Sequence, residues 1–174
     1  MLGLLALPWA TASRSATPEE LQALLPSATA LGSTRFSSWG FAIYDARLWV
    51  LPGFSADSYD QHGFALELRY LRDFSNASIT TRSIAEMRRQ ADLAPEQLAR
   101  WQQALGSAFP DIRKGDRILG LHRPGEGAIF LTNGKRTGAI VDAEFARLFF
   151  GIWLSDKTSE PTLRAALLGR GLSR

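Results

Sequence analysis

The stretch from Gly32 to Val50, G-S-T-R-F-S-S-W-G-F-A-I-Y-D-A-R-L-W-V, most constrains what this chain can fold into. Its second half is dense in aromatic and β-branched residues, which suit a pleated, half-buried surface. The two halves join near residues 37–40. Two strands are expected, at roughly residues 29–36 and 40–51. In the second, Ala42, Tyr44 and Ala46 face one way and Phe41, Ile43 and Asp45 the other. A lone hairpin is marginal in water, so this one needs further strands and a covering layer.

The rest of the chain supplies both. Residues 64–71 alternate strictly, with Phe64, Leu66, Leu68 and Tyr70 on one face, and read as a third strand. Residues 117–123, 128–132 and 135–141 read as three more. The last two are joined by Asn133-Gly134, the strongest hairpin signal in the sequence. Between the strand groups, residues 78–90 place Ile79, Ser83, Ile84 and Met87 on one helical face. Residues 95–106 do the same with Leu98, Trp101 and Leu105. Asp142 is placed to cap a helix running through Leu154, whose Phe145, Leu148, Phe149, Ile152 and Trp153 form an aromatic face. A short helix with Thr17 as cap and Leu21, Leu24 and Leu25 as its stripe precedes the strands, and another from Pro161 to Leu168 ends the chain. The order gives an α+β class with an antiparallel sheet and helices on one face.

Composition excludes more than it assigns. The 174 residues contain no Cys, which removes thiolate nucleophiles, Cys-ligated zinc and iron–sulfur clusters. His62 and His122 stand alone, without a second ligand at helical or hairpin spacing, so no metal site and no His-based triad is expected. No phosphate-cradling or nucleophile-elbow motif occurs, and no cofactor is expected. The net charge of +3 does not indicate a nucleic-acid partner. Lys occurs at 114, 135 and 157, and the other basic residues are Arg, scattered among acids rather than gathered in a stripe.

Residues 2–9 are apolar and lead into Ala10-Thr11-Ala12. That matches the end of a secretory signal at residues 1–12, with a mature domain at 13–174 that is periplasmic or secreted. The run is too short to span a bilayer, so no integral membrane segment is expected in the mature chain.

Several motifs, taken in order, carry a family resemblance. They are G-S-T-R-F before F-A-I-Y-D-A-R-L-W-V, then L-E-L-R-Y-L-R, S-I-A-E-M-R-R-Q, F-P-D-I-R-K-G-D, I-F-L-T-N-G-K-R-T-G-A-I-V-D, F-A-R-L-F-F-G-I-W-L and P-T-L-R-A-A-L-L-G. Together they resemble the bacterial chalcone isomerase-like family. The resemblance implies an open-faced β-sandwich, a large antiparallel sheet with a layer of helices on one face, and a ligand cleft between them. In plant chalcone isomerases an Arg in that cleft stabilises a phenolate, helped by Thr, Tyr and Asn. Fatty-acid-binding members use the Arg to meet a carboxylate.

Carried over residue by residue, the resemblance puts Arg35 at the Arg position and Tyr44 at a strand Tyr. Trp39 falls at the catalytic Thr, Thr80 at a catalytic Tyr and Met87 at an Asn. Phe150 lies near a polar position that tunes substrate choice. Met and Thr do not reproduce the hydrogen bonding of Asn and Tyr. The expected protein is therefore non-catalytic and binds an apolar, fatty-acid-like molecule through Arg35, Trp39, Tyr44, Thr80, Met87 and Phe150. An isomerase or intramolecular lyase acting on an enone, and an envelope scaffold without a ligand site, are the alternatives. Arg35 also has a purely structural reading, bonded to backbone carbonyls or to an acid such as Asp45 or Asp73. Tyr44, Tyr70, Trp49, Trp101 and Trp153 read first as core.

Overall fold

The organising hairpin closes on a two-residue turn. Trp39 and Gly40 both take positive φ, 52° and 78°, the left-handed pair that lets two twisted strands meet without splaying. The computed structural model describes residues 17–170, so the apolar run at 2–9 and the expected cleavage site lie outside the described residues. The elements are α1 (Glu19–Leu24), β1 (Thr29–Ser38), β2 (Phe41–Val50), β3 (Phe64–Tyr70), α2 (Asn76–Arg88) and α3 (Pro95–Ala108). They continue with β4 (Arg117–Arg123), β5 (Gly127–Thr132), β6 (Lys135–Ile140), α4 (Ala143–Leu154) and α5 (Pro161–Leu167). A short 3₁₀ turn, Ala56–Gln61, lies in what reads from sequence as a polar loop.

The six strands form one antiparallel sheet in chain order, β1 to β6. The β5–β6 hairpin turns at Asn133 and Gly134, with φ of 50° and 80°, as the dipeptide predicts. α2 starts two residues before its expected start, because Ser75 accepts a hydrogen bond from the Ser78 amide. Asp142 caps α4 through the Phe145 amide at 2.9 Å. Thr17 does not cap α1: Pro18 holds that position, without a side-chain cap.

The sheet's faces differ. Leu48, Leu66, Leu68, Tyr70, Ile118 and Phe130 share a large core with α2 to α5. Trp49, Ala65, Leu119, Leu121 and Leu131 form a smaller core on the other face, under Leu21 of α1 and Leu25 just after it. The helix layer thus covers one face, and α1 alone covers part of the second.

α4 is buried over most of its circumference, which its nearly unbroken apolar sequence requires. Gly151 lets two polar side chains reach it. A Cβ there would stand 2.1 Å from Gln90 Oε1 and 2.7 Å from the Tyr59 hydroxyl. Those side chains instead donate to the carbonyls of Leu148 (2.7 Å) and Arg147 (2.8 Å). α4 is thereby pinned with its aromatic face against the sheet.

Candidate functional site

The interior between sheet and helices is not filled. A cavity of about 220 Å³ lies under the first strands, walled by Phe36 of β1, Tyr44 of β2, Leu66, Leu68 and Tyr70 of β3, and Ile118, Gly120 and Phe130 of β4 and β5. Phe149, Phe150 and Trp153 of α4 close it from the helix side. Gly120 belongs to this wall because a Cβ there would press to 3.1 Å from the Phe150 ring. The rings stack edge to face rather than leaving soft contacts: Phe150 stands 5.0 Å from Phe64 and 5.4 Å from Phe149 between centroids.

Polar groups enter the cavity from two sides. The Tyr44 hydroxyl accepts a hydrogen bond from Trp153 Nε1 at 3.0 Å. The Tyr70 ring lies 5.8 Å from that of Tyr44, edge on. Burial pushes both phenols well above the ordinary tyrosine range, so both stay protonated at neutral pH. From α2 come Ser83, Arg82 and Glu86, and from the start of α5 comes Glu160. Arg82 Nη2 is 2.8 Å from Glu86 Oε1, an i,i+4 pair.

The six residues expected to bind ligand separate here. Tyr44 and Phe150 line the cavity. Arg35 does not. It lies on the opposite face of the sheet, its side chain 59% exposed, and forks onto Asp45 with Nε–Oδ1 at 2.6 Å and Nη2–Oδ2 at 3.0 Å. The hydrogen bonds from Arg35 hold the Asp45 carboxyl below its ordinary range, against the opposing effect of burial. The pair sits in an open polar groove with Arg47, Glu67, Arg69 and Arg117. The structural reading of Arg35, with Asp45 as partner, is the one found, and its reading as an anchor in the cleft is corrected.

Trp39 is 95% exposed at the hairpin tip, because the left-handed turn throws it outward. Thr80 is buried but turned toward α3. Its hydroxyl donates to Asn76 Oδ1 at 3.1 Å, and Asn76 in turn donates to the carbonyls of Gly106 and Phe109. Met87 is fully buried in the core and does not line the cavity. On α2 the cavity-lining residues are Ser78, Ile79, Arg82, Ser83 and Glu86. Thr80 and Met87 fall about a quarter turn away at about 100° per residue.

Arg82, Glu86 and Glu160 were not singled out from sequence. The available signal was the Arg82–Glu86 spacing beside the Ile79–Ser83 stripe, which otherwise reads as a solvated ion pair. Of the residues read as core, Trp49 and Trp101 are core: Trp49 donates to Glu67 and Trp101 to Asp142, each at 2.8 Å. Tyr44, Tyr70 and Trp153 do both jobs, packing and lining. Among the described residues no cluster of three or more His, Asp or Glu is placed to hold a metal ion, and no helix is long and apolar enough to cross a membrane.

Comparison with known proteins places this architecture. The family model described as chalcone isomerase-like matches residues 35–169. No curated protein matches the chain. Among solved structures, the crystal structure of a fatty-acid binding protein from Arabidopsis thaliana superposes with a TM-score of 0.64 at 12% identity. The match covers 82% of this chain and 87% of that one. At that identity the likeness shows the fold.

Proposed function

Since the chain belongs to the chalcone isomerase-like family, we propose that it binds an apolar small molecule in the cavity between sheet and helices. The observation that carries this is the cavity itself: about 220 Å³ of space inside an otherwise close-packed aromatic core, with a few polar groups on its sheet and helix sides. A concave, mostly apolar pocket with a few polar groups is the usual form of a small-molecule site. The fold neighbour titled as a fatty-acid binding protein supports a lipid-like ligand class. Binding is favoured over turnover of an enone because Arg35, the cation that would hold an oxyanion, is paired with Asp45 outside the cavity. Export belongs to the same proposal and is supported by the apolar run and Ala10-Thr11-Ala12.

Native mass spectrometry of the gently purified full chain, followed by organic extraction, tests the reading. A co-purifying apolar molecule is expected in the wild type. It should be absent from Leu68→Trp, which fills the cavity from the sheet side. A wild type that carries nothing and binds no medium-chain lipid in titration would overturn the proposal.

A further inference from the structure

The cavity's polar side carries a charge pattern that bears on what it admits. Among the lining residues the cation is Arg82, and it is already held by Glu86 at 2.8 Å. Arg89, which does not line the cavity, approaches the other oxygen of that carboxylate at 3.6 Å. Glu160 brings a second carboxylate to the same side. An incoming carboxylate would therefore meet no uncommitted guanidinium there and, once Arg82 and Glu86 offset each other, one surplus negative charge on Glu160. Burying an anion without a partner is far costlier than burying a neutral polar group that finds a hydrogen bond.

The sheet wall offers neutral partners. The Tyr44 oxygen is occupied as an acceptor by Trp153 Nε1, which leaves its own proton to donate. The Tyr70 hydroxyl makes no hydrogen bond within the described residues. Two phenol side chains thus line a space bounded mainly by Leu, Ile and Phe. Buried hydroxyls of this kind are satisfied by a ligand or by water.

Resting on the ligand-site reading above, we infer that the cavity selects uncharged ligands whose polar end is an oxygen (an alcohol, ketone, ester or phenol) over carboxylates, with Tyr44 and Tyr70 as the hydrogen-bonding partners, Glu86 occupying the lining guanidinium of Arg82 and Glu160 adding a surplus negative charge. The size follows as well. A cavity of about 150 Å³ accommodates benzene, so 220 Å³ fits one substituted ring or a chain of about eight carbons.

Calorimetric titration at pH 7.5 of the full chain with 1-octanol, sodium octanoate and toluene tests this. Octanol is expected to bind at least tenfold tighter than octanoate, and tighter than toluene. Glu86→Gln should raise octanoate affinity at least fivefold relative to octanol, and Glu160→Gln should move in the same direction. Tyr44→Phe should weaken octanol several-fold and leave toluene unchanged. Circular dichroism of each variant confirms that it is folded. Octanoate binding as tightly as octanol overturns the selection rule and leaves the ligand site standing, as does toluene matching octanol. If none of the three binds, the ligand site itself falls, and this inference with it.

Discussion

Replacing Phe150 by Ala should cost stability and change the ligand in a correlated way. The ring is fully buried and packs edge to face on Phe64 at 5.0 Å, His122 at 5.5 Å and Phe149 at 5.4 Å. Its neighbours are themselves rings fixed on a sheet and a pinned helix, so the site has little freedom to collapse. Losing the transfer energy of the phenyl group costs about 2 kcal/mol. A ring leaves on the order of 100 Å³, and at about 24 cal/mol per Å³ the unrelaxed void adds a similar amount. The expected loss is therefore about 4 kcal/mol, or a melting point lower by roughly 8–16 °C for a chain of this length. Urea unfolding with an unchanged m-value would show that the native state is what lost energy. Because the ring is also a cavity wall, chain-length preference should move from octanol toward dodecanol in the same variant. A loss under about 1.5 kcal/mol with an unchanged preference would refute the claim that this ring bounds the cavity.

Three other outcomes are expected. Arg35→Ala should leave octanol affinity within twofold of the wild type, since the Arg35–Asp45 pair lies across the sheet from the cavity; a tenfold loss in titration would contradict that placement. His122 should stay neutral as pH falls through its ordinary value of 6.5, because burial disfavours the charged ring more than its 2.7 Å contact with the His62 carbonyl supports it. The unfolded chain then takes up the proton first, so denaturation midpoints should drop as pH falls from 7 toward 5; an NMR titration of the ring giving a value above 6.5 would reverse the sign. Gly127→Ala should cost about 3 kcal/mol or more, since φ is 147° and a Cβ there would stand 2.0 Å from the Ile140 carbonyl oxygen; a variant melting with the wild type would be inconsistent with the β5–β6 geometry.

Much of the fold is legible in the sequence because its local signals agree with one another. The alternation from Phe64 to Tyr70, the Asn133-Gly134 turn, the Asp142 cap and the continuous apolar run of α4 each name one element, and no tertiary force opposes them. The cavity is less legible, because it is made by residues that also read as core. Leu66, Tyr70 and Phe150 would look the same in sequence if the space between them were filled. Tyr44, Tyr70 and Trp153 differ from ordinary core only in where their polar atoms end up.

Arg35 shows where sequence reasoning lost the site. A two-residue turn at Trp39-Gly40 pairs Ser38 with Phe41 and Ser37 with Ala42, and an unbroken ladder would go on to pair Arg35 with Tyr44, on the cavity face. The ladder is broken. The register shifts between Phe36 and Ser37, so that Phe36 pairs with Tyr44 and Arg35 with Asp45. Ile43 is the extra residue in β2, and the bulge it makes lets Ile43 and Tyr44 both reach the cavity wall, against the strict alternation expected for this strand. One residue of slip thus turns Arg35 from a would-be ligand anchor into half of a solvent-facing ion pair. Asp45 then closes the guanidinium fork, and the cavity is left with hydroxyl donors, the two phenols among them, and an already paired Arg82. The difference between a site built for carboxylates and one built for neutral oxygens comes down, in this chain, to a single bulged residue that leaves no mark in composition or periodicity.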